Sequence, residues 1–189
     1  VLALTHRFIG DRNEAYAELD DLLPRVRRSP ATAENLIEAL ESRATVAMDL
    51  AQWDDAIASS KEMLDVALSR FGDGHELARS ARWSLVQSYL LAGKAQESAE
   101  EAERVFPLTL EAHRDEPMAP ALIEARELYG RVLTAVARLD DGIAQMERSL
   151  RDAAEVFGPS STIIGYYAAN LAARQLEVSD LDRALASID

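Results

Sequence analysis

The chain has 189 residues, 48% apolar and only 6% aromatic, with 8 Gly and 6 Pro; it is too apolar for a disordered chain and too poor in turn residues for an all-β one. Lys and Arg number 20 against 33 Asp and Glu, a net charge of -13, and that field repels the phosphate backbone on which nucleic-acid affinity depends. With 0 Cys there is no disulfide framework, thiolate metal site or cysteine nucleophile.

Apolar periodicity and helix breakers predict helices over 1–9, 12–28, 31–50, 53–71, 76–92, 95–113, 119–136, 139–157, 161–177 and 180–188. The joints Ser29-Pro30, Gly72-Asp73-Gly74, Asp115-Glu116-Pro117 and Gly158-Pro159-Ser160 are turn formers or helix starters. Pro24 and Pro107 fall inside two of these segments, where a proline is expected to kink or stop the helix. The 33 Ala residues favour helix and let helices approach closely. No apolar run nears the roughly 20 residues of a membrane span, and no signal-peptide pattern opens the sequence. A soluble, cytoplasmic protein without membrane partners is expected, and the start at Val1 inside a helical pattern suggests a piece of a longer polypeptide.

Five short segments align with one another. They are Gly10-Asp11-Arg12-Asn13-Glu14-Ala15, Ala51-Gln52-Trp53-Asp54-Asp55-Ala56, Gly93-Lys94-Ala95-Gln96-Glu97-Ser98, Ala137-Arg138-Leu139-Asp140-Asp141-Gly142 and Ser179-Asp180-Leu181-Asp182-Arg183-Ala184. Their final small residues stand 41, 42, 44 and 42 residues apart, and each segment joins two apolar-periodic helices, the second opening on acidic residues suited to the positive end of a helix dipole. The ten helices therefore form five hairpins, near 1–28, 31–71, 76–113, 119–157 and 161–189. No segment reads as a flexible linker, so a single array without a domain boundary is expected.

Small residues at Ala56, Ser98 and Gly142 alternate with large ones such as Leu85, Tyr89 and Leu133. The pattern resembles the tetratricopeptide repeat (TPR), and the long period is similar to its kinesin-light-chain subtype. Arg70-Phe71-Gly72-Asp73-Gly74-His75 and Val156-Phe157-Gly158-Pro159 resemble that subtype's inter-unit loop, and Asn170-Leu171-Ala172 its first-helix motif. The resemblance implies an all-α superhelix, a TPR-like solenoid. HEAT and armadillo arrays have similar periods and are the competing reading.

Catalysis lacks parts. His6, His75 and His113 sit in different units without metal-ligand spacing, and read as surface residues. Gly72-Asp73-Gly74 follows a helix, whereas a dinucleotide loop follows a strand. The pairs Asp54-Asp55 and Asp140-Asp141 share one repeat position, where a helix start explains them. Arg25, Arg27 and Arg28 lie in a last helical turn, which favours cations. The expectation is a non-enzyme with no cofactor and no metal.

By resemblance, the first helix of each hairpin lines a concave face that holds a partner's peptide or helix. Its slots carry over to Glu38, Glu41, Thr45, Met48 and Asp49; to Ser80, Trp83, Gln87, Leu90 and Leu91; to Glu124, Glu127, Arg131, Thr134 and Ala135; and to Tyr166, Ala169, Ala173, Leu176 and Glu177. Asn170 matches the family asparagine that can hydrogen-bond a peptide backbone. Acids around apolar anchors point to ligands carrying basic and apolar residues. A slide of one residue would instead put Trp83 in the core and Ala99 in the small slot. Such repeats accompany effector regions in bacterial multidomain proteins, which implies a regulatory, signalling role. A peptide-sensing receptor and a self-association module, dimerising through the apolar start at Val1, Leu2, Leu4 and Phe8, are the alternatives.

Overall fold

The computed structural model describes residues 12–28 and 32–177. The helices expected over 1–9 and 180–188, the Ser29-Pro30 joint, His6 and the apolar start lie outside the described residues. Every regular element among the described residues is an α-helix: α1 (Arg12–Arg28), α2 (Ala33–Asp49), α3 (Trp53–Phe71), α4 (Glu76–Leu91), α5 (Ala95–Ala112), α6 (Pro120–Ala135), α7 (Leu139–Phe157) and α8 (Thr162–Glu177). Contacts divide the chain into two compact units, Val1–Glu101 and Ala102–Asp189.

The bounds follow local chemistry. Helix α2 begins two residues later than expected because Thr32 caps it, its hydroxyl accepting from the Asn35 amide at 3.4 Å. His75 caps α4 through Nδ1, which accepts from the Leu77 amide at 3.2 Å, and its ring stacks on Phe71 at 4.7 Å. Pro24 and Pro107 do not stop α1 and α5. Each proline removes one amide donor, while neighbouring side chains such as Leu23 and Phe106 are buried and hold the helix on course.

The repeat is visible in the backbone. The amides of Gln52, Lys94 and Arg138 donate to the carbonyls of Ala47, Tyr89 and Leu133, each at 2.9 Å, and those of Ala51, Gly93 and Ala137 donate to Met48, Leu90 and Thr134, each at 3.1 Å. This Schellman pair needs a left-handed residue at the turn, and Ala51, Gly93 and Ala137 take φ values of 57°, 73° and 63°. Helices α3 and α7 then start without a side-chain cap, and Asp54, Asp55, Asp140 and Asp141 in their first turns compensate the exposed amides.

The small slots work as contact points. In the second unit a Cβ on Gly142 would stand 2.6 Å from the Gly130 carbonyl, so the α6 and α7 backbones touch. Ser98 occupies the same slot in the first unit and donates its hydroxyl to the equivalent carbonyl, that of Val86, at 2.8 Å. This fixes the register of the third hairpin on Ser98 and leaves Trp83 half-buried. Leu40, Ile57, Met63 and Leu85 centre the core of the first unit. Ile123, Tyr167 and, beside them, Ile143, Met146 and Leu171 centre that of the second.

Arginines tie the helices laterally. Arg43 of α2 donates to Tyr16 at 2.6 Å and Asp20 at 3.0 Å on α1, and to Ser59 on α3 at 2.8 Å. Burial pushes the Tyr16 phenol up to about 12, against the pull of the Arg43 cation.

Candidate functional site

In the first unit the carried-over slots lie on α2 and α4. Glu38, Glu41, Asp49 and Leu91 are exposed, while Thr45, Met48, Trp83, Gln87 and Leu90 are half-buried. Thr45 donates its hydroxyl to the Glu41 carbonyl at 2.9 Å, and Asp49 pairs with Arg12 at 3.6 Å. Desolvation, then the neighbouring Glu38 charge, raises the Glu41 carboxyl above the usual carboxylate range. The Met48 sulfur accepts from Ser88 at 3.7 Å, and the Ser88 hydroxyl also contacts that of Ser60 at 3.0 Å, so a line of buried hydroxyls runs beneath the α2–α4 face.

In the second unit α6 and α8 present a tighter constellation. Asn170 donates its side-chain amide to Glu127 Oε1 at 2.6 Å. Arg131, one turn along α6, places Nη1 at 3.6 Å from Glu127 Oε2 and donates to the Tyr166 hydroxyl at 3.1 Å. Tyr166 is 51% exposed, whereas Glu127 is only 4% exposed. The sequence places Glu127 among the exposed acids of the face; it is buried instead, because Asn170 and Arg131 give its carboxylate the partners that burial demands. Burial raises its pKa, with Arg131 and then Asn170 pulling it back. Desolvation raises the exposed Glu124 as well, and burial together with Glu124 and Glu127 raises the Tyr167 phenol. Glu177, at the end of α8, is exposed and accepts from Arg174 at 2.9 Å.

The remaining clusters have structural partners. Arg25 pairs with Asp21 at 2.6 Å, Arg27 grips Glu62 with bonds of 2.8 and 2.6 Å, and Arg28 donates to the Pro24 carbonyl at 2.9 Å. Asp73 in the loop after α3 accepts from Arg82 at 2.6 Å.

Sequence reasoning does not single out Arg82 and Arg126. Both are buried in first helices, 8% and 3% exposed. Arg82 also donates to Glu101 at 2.6 Å; Arg126 donates to Asp152 at 2.9 Å and to the Pro117 carbonyl at 3.4 Å. Each arginine thus reaches back to the loop preceding its own helix. Burial and then Arg148 lower the Arg126 pKa, and Asp152 offsets them. A signal existed: both arginines stand 16 residues before the small residue of their hairpin, Ser98 or Gly142.

Among the described residues no group of three or more His, Cys, Asp or Glu is placed to hold a metal ion, and no helix is long and apolar enough to cross a membrane.

No protein-family model and no curated protein matches the chain. Solved structures do. A point variant of nearly identical, kinesin-light-chain-like TPR-like repeats from Podosopora anserina aligns with a TM-score of 0.79 at 15% identity, covering 99% of this chain and 88% of that one. BtubC (BKLC) from P. vanneervenii aligns at 0.77 and 14% identity, covering 100% and 74%. A thermophilic TPR protein of Thermus thermophilus aligns at 0.65 and 16% identity, covering 98% and 84%. Together with the helical hairpins and their repeated turns, these likenesses establish the fold as an all-α, TPR-like helical repeat.

Proposed function

We propose that this chain is a non-catalytic protein-interaction module that holds a peptide or helix of a partner against the first-helix faces, α2 with α4 and α6 with α8, and acts in regulation. The observation that carries the reading is the accessibility of those faces. Of the twenty carried-over slots only Glu127 and Thr134 are buried; the others are exposed or half-buried, although they lie on the helices that build the cores. Large side chains with apolar surface, Trp83, Leu90, Leu91, Tyr166 and Leu176, stand among them, with Glu38, Glu41, Asp49 and Glu124 around. Apolar anchors of this kind supply affinity, and surrounding charge supplies selectivity and on-rate. The ligand is therefore a protein segment that combines basic residues with a large apolar side chain.

The test is a random peptide library screened against the immobilised protein at low and high salt. Enrichment of basic, aromatic or aliphatic peptides that weakens as salt rises supports the reading. Equal recovery of acidic and basic peptides, or no recovery at all, rejects it.

A further inference from the structure

Four arginines of the first helices, Arg43, Arg82, Arg126 and Arg131, bond to groups that build the cores or the faces, and they are held in different ways. Arg43 bonds side chains of α1 and α3, Arg82 is clasped between Asp73 and Glu101, and Arg126 between Asp152 and the Pro117 carbonyl. None of these three can leave without dismantling the contacts between its helix and its neighbours. Arg131 is attached far more weakly. Its Nη1 lies 3.6 Å from Glu127 Oε2, a long contact for an ion pair. Its other contact is the hydroxyl of the exposed Tyr166 at 3.1 Å.

Beneath it, Glu127 cannot follow. Glu127 is 4% exposed, and Asn170 fixes its Oε1 at 2.6 Å. Oε2 therefore faces a position where a cation is stabilising, because a buried carboxylate left charged and uncovered is costly. The protein fills it with a guanidinium whose side chain is 19% exposed. That guanidinium shows what chemistry the position accepts.

We propose that the α6–α8 face of the second unit captures a lysine or arginine side chain of the ligand by exchange: the incoming cation takes the place of Arg131 against Glu127, and Arg131 swings into solvent. The inference rests on the interaction-module reading and names the residue that sets its cation selectivity. Charge balances throughout, since one cation replaces another over the same carboxylate. Tyr166, released from Arg131, offers its ring face to the ligand cation and its alkyl stem. Arg131 is thus an internal competitor, and its removal strengthens binding where the loss of a contact residue would weaken it.

The test uses phenethylguanidinium, an aromatic ring carrying a guanidinium, and its neutral counterpart phenethylurea, titrated into isotopically labelled protein. The Asn170 side-chain amide, bonded to Glu127, is the NMR reporter. The guanidinium is expected to shift that resonance and the urea is not. Arg131→Gln is expected to tighten the guanidinium about three- to tenfold, the scale of a partly buried ion pair. Tyr166→Phe, which deletes only the hydroxyl that steadies Arg131, tightens it by less and keeps the inference testable if Arg131→Gln folds poorly. Unchanged or weaker binding by both variants overturns the exchange, as does a shift caused equally by the urea. If the peptide library yields basic ligands but the guanidinium leaves Asn170 untouched, the exchange fails while the interaction reading stands. If the guanidinium exchanges as described and no peptide is recovered, the reverse holds.

Discussion

Asn170 on α8 donates its side-chain amide across 2.6 Å to Glu127 on α6, and the two residues lie 43 positions apart in the chain. The bond satisfies one carboxylate oxygen of Glu127, a residue only 4% exposed. It also engages one N–H of the residue expected, by resemblance, to bind a peptide backbone. In the free protein Asn170 therefore organises the face by holding Glu127 still.

Removing that amide exposes the cost of the buried charge. Asn170→Ala is expected to destabilise the protein by about 1–3 kcal/mol near neutral pH, the range for stranding a buried polar group. Burial has raised the Glu127 pKa above its unfolded value. A carboxyl so raised lowers stability above its folded pKa and returns that stability as pH falls through it. Asn170 pulls the pKa down, so its loss raises it further, and the penalty shrinks in acid. Urea unfolding of parent and variant from pH 7.5 down to pH 4 checks this, since the stability is returned between the raised folded pKa and the unfolded value; an equal loss throughout would show that Glu127 is not the group responsible.

The turns offer a stabilising change. Ala51 and Ala137 adopt φ values of 57° and 63° where the equivalent Gly93 adopts 73°. A Cβ in the left-handed region costs roughly 1–2 kcal/mol, and glycine's extra unfolded-state entropy returns part of that. Ala51→Gly and Ala137→Gly are each expected to stabilise by about 0.5–1 kcal/mol, and Gly93→Ala to destabilise by a similar amount. The two alanines belong to different units and share no partner, so the gains should add. A raised Tm for the double variant is the readout; a lowered one refutes the strain argument.

Arg126 gives a contrast between breaking and replacing a buried pair. Its side chain is 4% exposed and that of its partner Asp152 is 17% exposed, at 2.9 Å. Arg126→Ala leaves Asp152 the longer pair with Arg148 at 3.7 Å and is expected to cost about 3 kcal/mol, whereas Arg126→Met combined with Asp152→Leu should recover most of that loss. Chemical denaturation of the single and double variants measures the difference. A double variant as unstable as the single one would mean that the pair itself is needed.

Much of this architecture was legible because local chemistry repeats. The bounds of α1, α3 and α7 match the sequence reading, since each begins at the third residue of an aligned segment; the recurrence at Ala51, Gly93 and Ala137 located turns that two alanines alone would not have revealed. Burial of individual charges was less legible. Glu127 shares its repeat slot with Glu41, which is exposed, and with the half-buried Trp83. What buries it is a partner 43 residues away and another on its own helix, a coincidence no single hairpin displays. Arg82 and Arg126 were hidden for the opposite reason, because arginine on a helix reads as surface until a loop carboxylate or carbonyl is seen to receive it.

Trp83 and the exposed acids separate affinity from steering. Trp83 is half-buried on α4 beside Gln87 and Leu90, while Glu38 and Glu124 stand exposed on α2 and α6. A truncated aromatic anchor costs binding energy directly, so Trp83→Ala is expected to weaken a library-selected basic peptide by about 2 kcal/mol or more. Neutralising exposed charge acts mainly on the encounter, and Glu38→Gln with Glu124→Gln should slow association and flatten its salt dependence with little change in dissociation. Surface plasmon resonance kinetics at two ionic strengths read both effects at once. If Trp83→Ala lowers the Tm of the free protein sharply and leaves peptide affinity unchanged once unfolded material is accounted for, its indole packs the interior and contributes nothing to the ligand.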